Sequence, residues 1–274
     1  MSIDGKRIYK SVTFGPIPTV TPCQPTGNTT GIATWLHSCY RCRLGRRQND
    51  ELGAQVTQSV SPTVGTAWHH ELAGGLRKRP LQERSRAMIQ RVLDTAAELV
   101  EEVGYEAVVG SPTLLLDKSG VSRGSFYAFF ETPERVLDEL SYQRIQQSAV
   151  AFGEALRSRP GDRWIEIVDA VIDFYTTEHR IPLIRELWVR QNLTHRVRRL
   201  DHLAIDDFAN IVLAEFRRHT PLFDSLTELQ CRVAMHAVER LFQLAFTDHP
   251  EGDPATIAEA RRMLVDYFAG YSGE

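Results

Sequence analysis

Three observations in the 274-residue sequence predict an all-α protein. From Leu81 onward, apolar side chains recur at spacings of three and four, the period of one helix face. Helix-start signals, Ser or Thr followed by Pro, stand at Ser111-Pro112 and Thr132-Pro133, and Gly and Pro mark the stops. No segment carries the strict alternation of a strand.

Residues 1–80 have neither period. They are rich in Thr, Ser, Gly, Pro and Gln, as in TPCQPTGNTTG and TQSVSPTVGTAW, and hold too little apolar surface to offset the entropy of ordering. They read as a disordered extension, and a basic one: ten Lys or Arg against four Asp or Glu, where residues 81–274 carry twenty-two against thirty-one. A basic segment joined to an acidic body points to a polyanion as partner. Pro16, Pro18, Pro22 and Pro25 interrupt any signal-peptide centre, and no apolar run reaches eighteen residues. A cytoplasmic protein with no membrane segment is expected. Cys23, Cys39, Cys42 and Cys231 form no disulfide framework. HSCYRC at 37–42 lacks the second half of a zinc site, so no metal and no cofactor are expected.

The elements follow in order. Ile89, Val92, Leu93, Ala96, Ala97, Val100 and Val103 stripe a first helix that Gly104 closes. Ser111 caps a short helix holding Leu114–Leu116, Gly120 breaks it, and Ser122 caps another holding four aromatics. Thr132 caps the next, with Pro133 and Glu134 in its first turn. Six helices are read beyond, at about 134–158, 162–179, 182–196, 198–219, 225–248 and 254–271. Breaks fall at Pro160-Gly161, Pro182, Thr220-Pro221 and Pro250 to Pro254. The chain divides into the extension (1–80), a three-helix unit (81–133) and a helical bundle (134–274).

Three short helices with a Gly turn before the last are the plan of a helix-turn-helix module. A helix that enters the major groove needs small or polar residues on its leading face, and Arg123, Gly124 and Ser125 supply them. Its free backbone N–H groups favour phosphate. Gly104-Tyr105, SGVSRGSFYAFF at 119–130 and ETPERVL at 131–137 together resemble the DNA-binding domain of the TetR family of transcriptional regulators, over about residues 84–140. The resemblance implies that Arg123, Ser125 and Tyr127 meet phosphates or base edges, and that Thr113 donates to a phosphate. It places Ser122, Gly124 and Thr132 on the same surface, with Ala128 and Phe129 toward the groove and Phe126 and Phe130 internal. The sequence departs from the family pattern in two ways. Pro133 stands where Lys is common, and the span from Gly104 to Gly120 is about two residues longer. Residues 81–142 hold six Lys or Arg against eleven Asp or Glu, so bulk charge cannot carry binding. RKRPLQERSR at 77–86 is expected to compensate, laying Arg77, Lys78, Arg79, Arg84 and Arg86 on DNA.

In the bundle, Trp164, Phe174, Tyr175, His179, Trp188, Phe208 and His236 mix aromatic and polar character at helical positions. The resemblance implies that this part encloses a small-molecule pocket, here for an apolar or aromatic effector, and forms a homodimer through the last two helices. Stripes fit such pairing: Leu229, Val233, Ala237, Leu241 and Leu244, then Ile257, Ala260, Leu264 and Phe268. No paired Glu-x-x-His, phosphate loop or nucleophile elbow points to an enzyme. The expected function is that of a repressor that binds a palindromic operator as a homodimer and is released by an effector. The alternative is a helical DNA-binding module controlled by a protein partner, without a small ligand.

Overall fold

The computed structural model describes residues 73–272 apart from Pro160, Asp162 and Thr220. The extension read at 1–72, with HSCYRC, lies outside them. The described residues form ten α-helices and no strand. The first four are short or pack as a unit: α1 (Glu83–Val103), α2 (Tyr105–Gly110), α3 (Pro112–Ser119) and α4 (Arg123–Tyr127). Then come α5 (Pro133–Arg157), α6 (Ile165–His179) and α7 (Pro182–Ile184), which runs on as a π-turn over Arg185–Val189. The chain ends with α8 (His195–His219), α9 (Glu228–Ala245) and α10 (Pro254–Ala269). No described helix is long and apolar enough to cross a membrane.

The start signals act as read. Ser111, Ser122 and Thr132 each accept a backbone N–H three residues on, at 3.4, 3.3 and 3.3 Å. Two boundaries differ from expectation. Gly104, at φ 85°, closes α1, but the chain resumes at once as α2. The helix expected over 182–196 ends at Val189, because Gln191 takes φ 61° and the last turn widens. Arg190 N–H reaches back to the Arg185 carbonyl, and Asn192 N–H to that of Leu187, both five residues away. Thr194 then caps α8, accepting Val197 N–H at 3.3 Å, so α8 begins at His195.

Side chains bury into two adjoining cores. The first joins α1–α4 to the start of α5, α7, its π-turn and the first half of α8, around Leu93, Phe126, Phe130, Trp188 and Val197. The second joins the rest, around Phe152, Phe208, Phe216, Phe242 and Phe268. Each buried aromatic contributes about 1.5–3 kcal/mol by transfer from water. α5 threads both, with Val136 to Ile145 in one and Phe152 and Leu156 in the other. Asp138, on α5, joins it to the cap of α8: it accepts from Thr194 Oγ1 at 2.7 Å and from Arg135 at 2.7 Å.

Residues 73–80, which the sequence assigns to the extension, lie as a strap on this body. Gly75 N–H donates to Glu139 at 3.0 Å, and Arg196 holds the Ala73 carbonyl at 2.7 Å. The two glycines let the strap approach α5 more closely than any side chain permits. A Cβ on Gly75 would lie 1.6 Å from the Arg135 carbonyl oxygen, and one on Gly74 would lie 2.1 Å from Glu139. Gly75→Ala is therefore expected to lower stability by about 1–3 kcal/mol, read from the denaturant midpoint, and to open Arg77 to trypsin. An unchanged midpoint and cleavage pattern would show that the strap does not seat as described.

Candidate nucleic-acid interface and ligand pocket

α3 and α4 meet at a turn that only a flexible residue makes cheaply. Gly120 takes φ 64° and donates its N–H to Leu116 at 3.0 Å. Ser122 then starts α4 and also donates from its hydroxyl to Ser125 Oγ at 2.9 Å. Phe126 is wholly buried, 5.6 Å centroid to centroid from Phe130, and fixes which way the five-residue helix faces. Arg123, Gly124, Ser125 and Tyr127 are exposed on the other side, with Ser122, Thr113 and Thr132 also exposed and Ala128 half-buried.

Phe129 departs from the expected placement toward the groove. It is buried, its carbonyl accepts Arg77 N–H at 2.9 Å, and Lys78 Nζ stands 5.0 Å from its ring centroid. Part of the basic run also makes contacts within the chain while staying exposed. Arg77 also donates to the Tyr127 carbonyl at 3.2 Å, so Arg77 and Lys78 grip the end of α4. Arg86 pairs with Glu83 at 2.8 Å and reaches the Pro80 and Leu81 carbonyls, while Arg84 is exposed. Positive charge in the sequence did not separate residues that hold the module from residues that face outward.

A pocket of about 50 Å³ opens on the seam between the two cores. It gathers five of the seven aromatic and histidine residues singled out from the sequence: Phe174, Tyr175, His179, Trp188 and Phe208. Trp164 and His236 lie elsewhere. Trp164 packs on Phe216 and Phe223 in the second core, and His236 is bonded to Asp206 at 3.1 Å beside His202. Sequence reasoning missed Glu178, Asp201 and Glu239, which line the same space. Glu239 carried the one available signal, lying four residues after Met235 and three before Phe242 on the buried stripe of α9.

The polar side of the pocket is crowded with acceptors. Arg144 binds both oxygens of Glu178 at 2.5 Å, and Ser148 adds a bond at 2.6 Å. Trp188 Nε1 donates to Asp201 at 2.8 Å. His179 Nδ1 lies 3.0 Å from the Tyr175 carbonyl, and its Nε2 lies 3.7 Å from Glu239, too far for a hydrogen bond. Burial, reinforced by the charge of Glu239, pushes the Asp201 carboxyl up to about 7. Burial also works to raise Glu239, but the approach of His179 and the hydrogen bond from Gln243 hold it below the usual carboxylate range. Tyr175 is raised well above the ordinary phenol, by burial first and by the carboxylates next.

The family described as tetracyclin repressor-like, C-terminal domain, matches residues 164–268. A TetR-family transcriptional regulator from Streptomyces coelicolor shares 26% identity and a TM-score of 0.53, across 68% of this chain and 98% of that one. Residues 164–268 thus resemble the C-terminal domain of the TetR family, and the chain is similar in fold to a regulator of that family. It is a DNA-binding transcriptional regulator with the all-helical fold of that family. A TetR-family repressor, AlkX from Dietzia sp. strain DQ12-45-1b, implicated in biodegradation of n-alkanes, aligns at 16% identity and a TM-score of 0.41. That alignment covers 66% of this chain and 98% of the repressor. No curated protein sequence matches the regulator significantly.

The pocket gives the regulator a pH signature. Asp201 titrates near its ordinary value when unfolded and near 7 when folded, so between these values the folded state holds the extra proton. Stability from this group is fully present below about pH 4 and is lost as pH rises through 7. Wild type is expected to lose roughly 2 kcal/mol more than Asp201→Asn between pH 5 and 8, measured by denaturant unfolding at both values. Parallel pH profiles for the two proteins would contradict the burial of this carboxyl.

Proposed function

We propose that the protein is a repressor that binds a palindromic operator as a homodimer and releases it when a small molecule enters the pocket. The observation that carries the DNA-binding half is the two-sided construction of α4. Phe126 is buried to the last atom beneath a face of Arg123, Gly124, Ser125 and Tyr127. A Cβ built on Gly124 meets no atom within 4 Å, so nothing in the described fold requires glycine there. The open position leaves room for a partner's backbone against the helix, as a major groove demands. Thr113 and Thr132 flank this face as phosphate donors, and Arg84 extends it from α1.

For the dimer, α9 supplies the free apolar surface. Leu229, Val233 and Leu244 are exposed along it, with Ala237 and Leu241 half-buried. Ala260, Leu264 and Phe268 of α10 are buried within their own chain, so α10 supports the face more than it forms it. Two copies joined here would hold two recognition helices for the two halves of an operator.

The effector half rests on the pocket's position. Trp188 packs in the first core and lines the pocket, and it belongs to the π-turn. Two residues earlier on that turn, Glu186 accepts Tyr105 N–H at 3.2 Å, where α2 begins. A ligand that displaces Trp188 moves the turn and with it a contact of the DNA-binding module. Such a cavity, walled by aromatic and polar groups, favours a small ligand over control by a protein partner alone.

Footprinting on DNA flanking the gene is expected to reveal a protected palindrome at physiological salt. Arg123→Ala and Tyr127→Phe are expected to weaken operator binding by about 1–3 kcal/mol each, with sedimentation still showing a dimer. Normal operator binding by both variants would remove α4 as the reading helix.

A further inference from the structure

We propose that the pocket takes a small organic cation, a compact apolar body bearing one protonated amine, against Asp201, Glu239, Tyr175 and His179. The inference rests on the reading of this pocket as an effector site and adds the chemical class of its ligand.

The argument is one of hydrogen-bond direction and charge. His179 is 3% exposed and Tyr175 2%. Neither His179 Nε2 nor Tyr175 Oη has a hydrogen-bond partner among the described residues, although both atoms are buried. Nδ1 of His179 faces a backbone carbonyl, which can only accept, so Nδ1 carries the proton. The Asp201 and Glu239 carboxylates each keep acceptor capacity beyond the single bonds from Trp188 and Gln243. The unmet demand of the pocket is therefore for a donor.

Charge points the same way. Among the described residues, no Lys or Arg lines the pocket. The guanidinium behind it, Arg144, is held on both oxygens of Glu178, so its charge is already matched. A bound carboxylate or phosphate would face Asp201 and Glu239 with only His179, 3.7 Å from Glu239, beside them. A neutral apolar molecule would strip water from both and leave His179 and Tyr175 unsatisfied. An ammonium group answers both carboxylates, and the faces of Phe174, Trp188 and Phe208 suit both its positive charge and its apolar body. Among the described residues, no three His, Cys, Asp or Glu side chains converge as metal ligands.

The test uses the full chain and three probes of similar shape: phenethylamine, 2-phenylethanol and phenylacetate, in calorimetric titrations at pH 7.5. Saturable binding of phenethylamine, at least tenfold tighter than the alcohol and with no binding of phenylacetate, is expected. Asp201→Asn and Glu239→Gln are each expected to weaken it tenfold or more while circular dichroism still shows a cooperative helical melt. Should either fail to fold, Tyr175→Phe removes only the hydroxyl and is expected to weaken binding several-fold. Equal or tighter binding of the alcohol or phenylacetate, no binding of any probe, or unchanged phenethylamine affinity in the folded variants overturns the proposal. Gel shifts on the operator separate the two levels of inference. Phenethylamine that binds without releasing DNA supports the ligand class and defeats the effector reading. Release by the alcohol or by phenylacetate does the reverse.

Discussion

The burial of one aromatic ring, Phe126, is the constraint on which the DNA-binding module depends. A helix of five residues forms too few backbone hydrogen bonds to repay its nucleation and would not persist alone. α4 persists because Phe126 is sunk against Phe130 in the first core, Ser122 caps its start and the strap holds its end. Its orientation is thus set by what it buries, and the outward face follows. The same core takes in α7, the π-turn and the first half of α8, so α4 and one wall of the pocket share a hydrophobic interior.

That shared interior gives the two halves of the molecule something to exchange. Close-packed cores shift between discrete arrangements more readily than they deform by degrees. The π-turn lies where such a shift would be felt on both sides: Trp188 reaches Asp201 in the pocket, and Glu186 holds the first N–H of α2. A wider helical turn is a poorer hydrogen-bonding solution than an α-turn and commonly marks a functional position.

Much of this was legible in the sequence, because local chemistry decides it. Ser111, Ser122 and Thr132 cap helices wherever they are placed before the right residues, and the period of three and four in α1 survives into the fold. Five of the seven aromatic and histidine residues singled out do meet in one pocket. What escaped was decided at long range. Gln191 in the left-handed region has no glycine to announce it, and Thr194 caps α8 without a following proline. Phe129 is drawn inward by a strap whose glycines read, on their own, as loop. Glu178, Asp201 and Glu239 escape a sequence reading, since only the packing of α6, α8 and α9 turns them toward a common space.

The allocation of positive charge has its own consequence. Eleven acidic against six basic residues surround the recognition helix, and Arg77, Lys78 and Arg86 are occupied within the chain. Among the described residues few cations stand free around α4, and the dependence of affinity on salt falls with the number of phosphates neutralised.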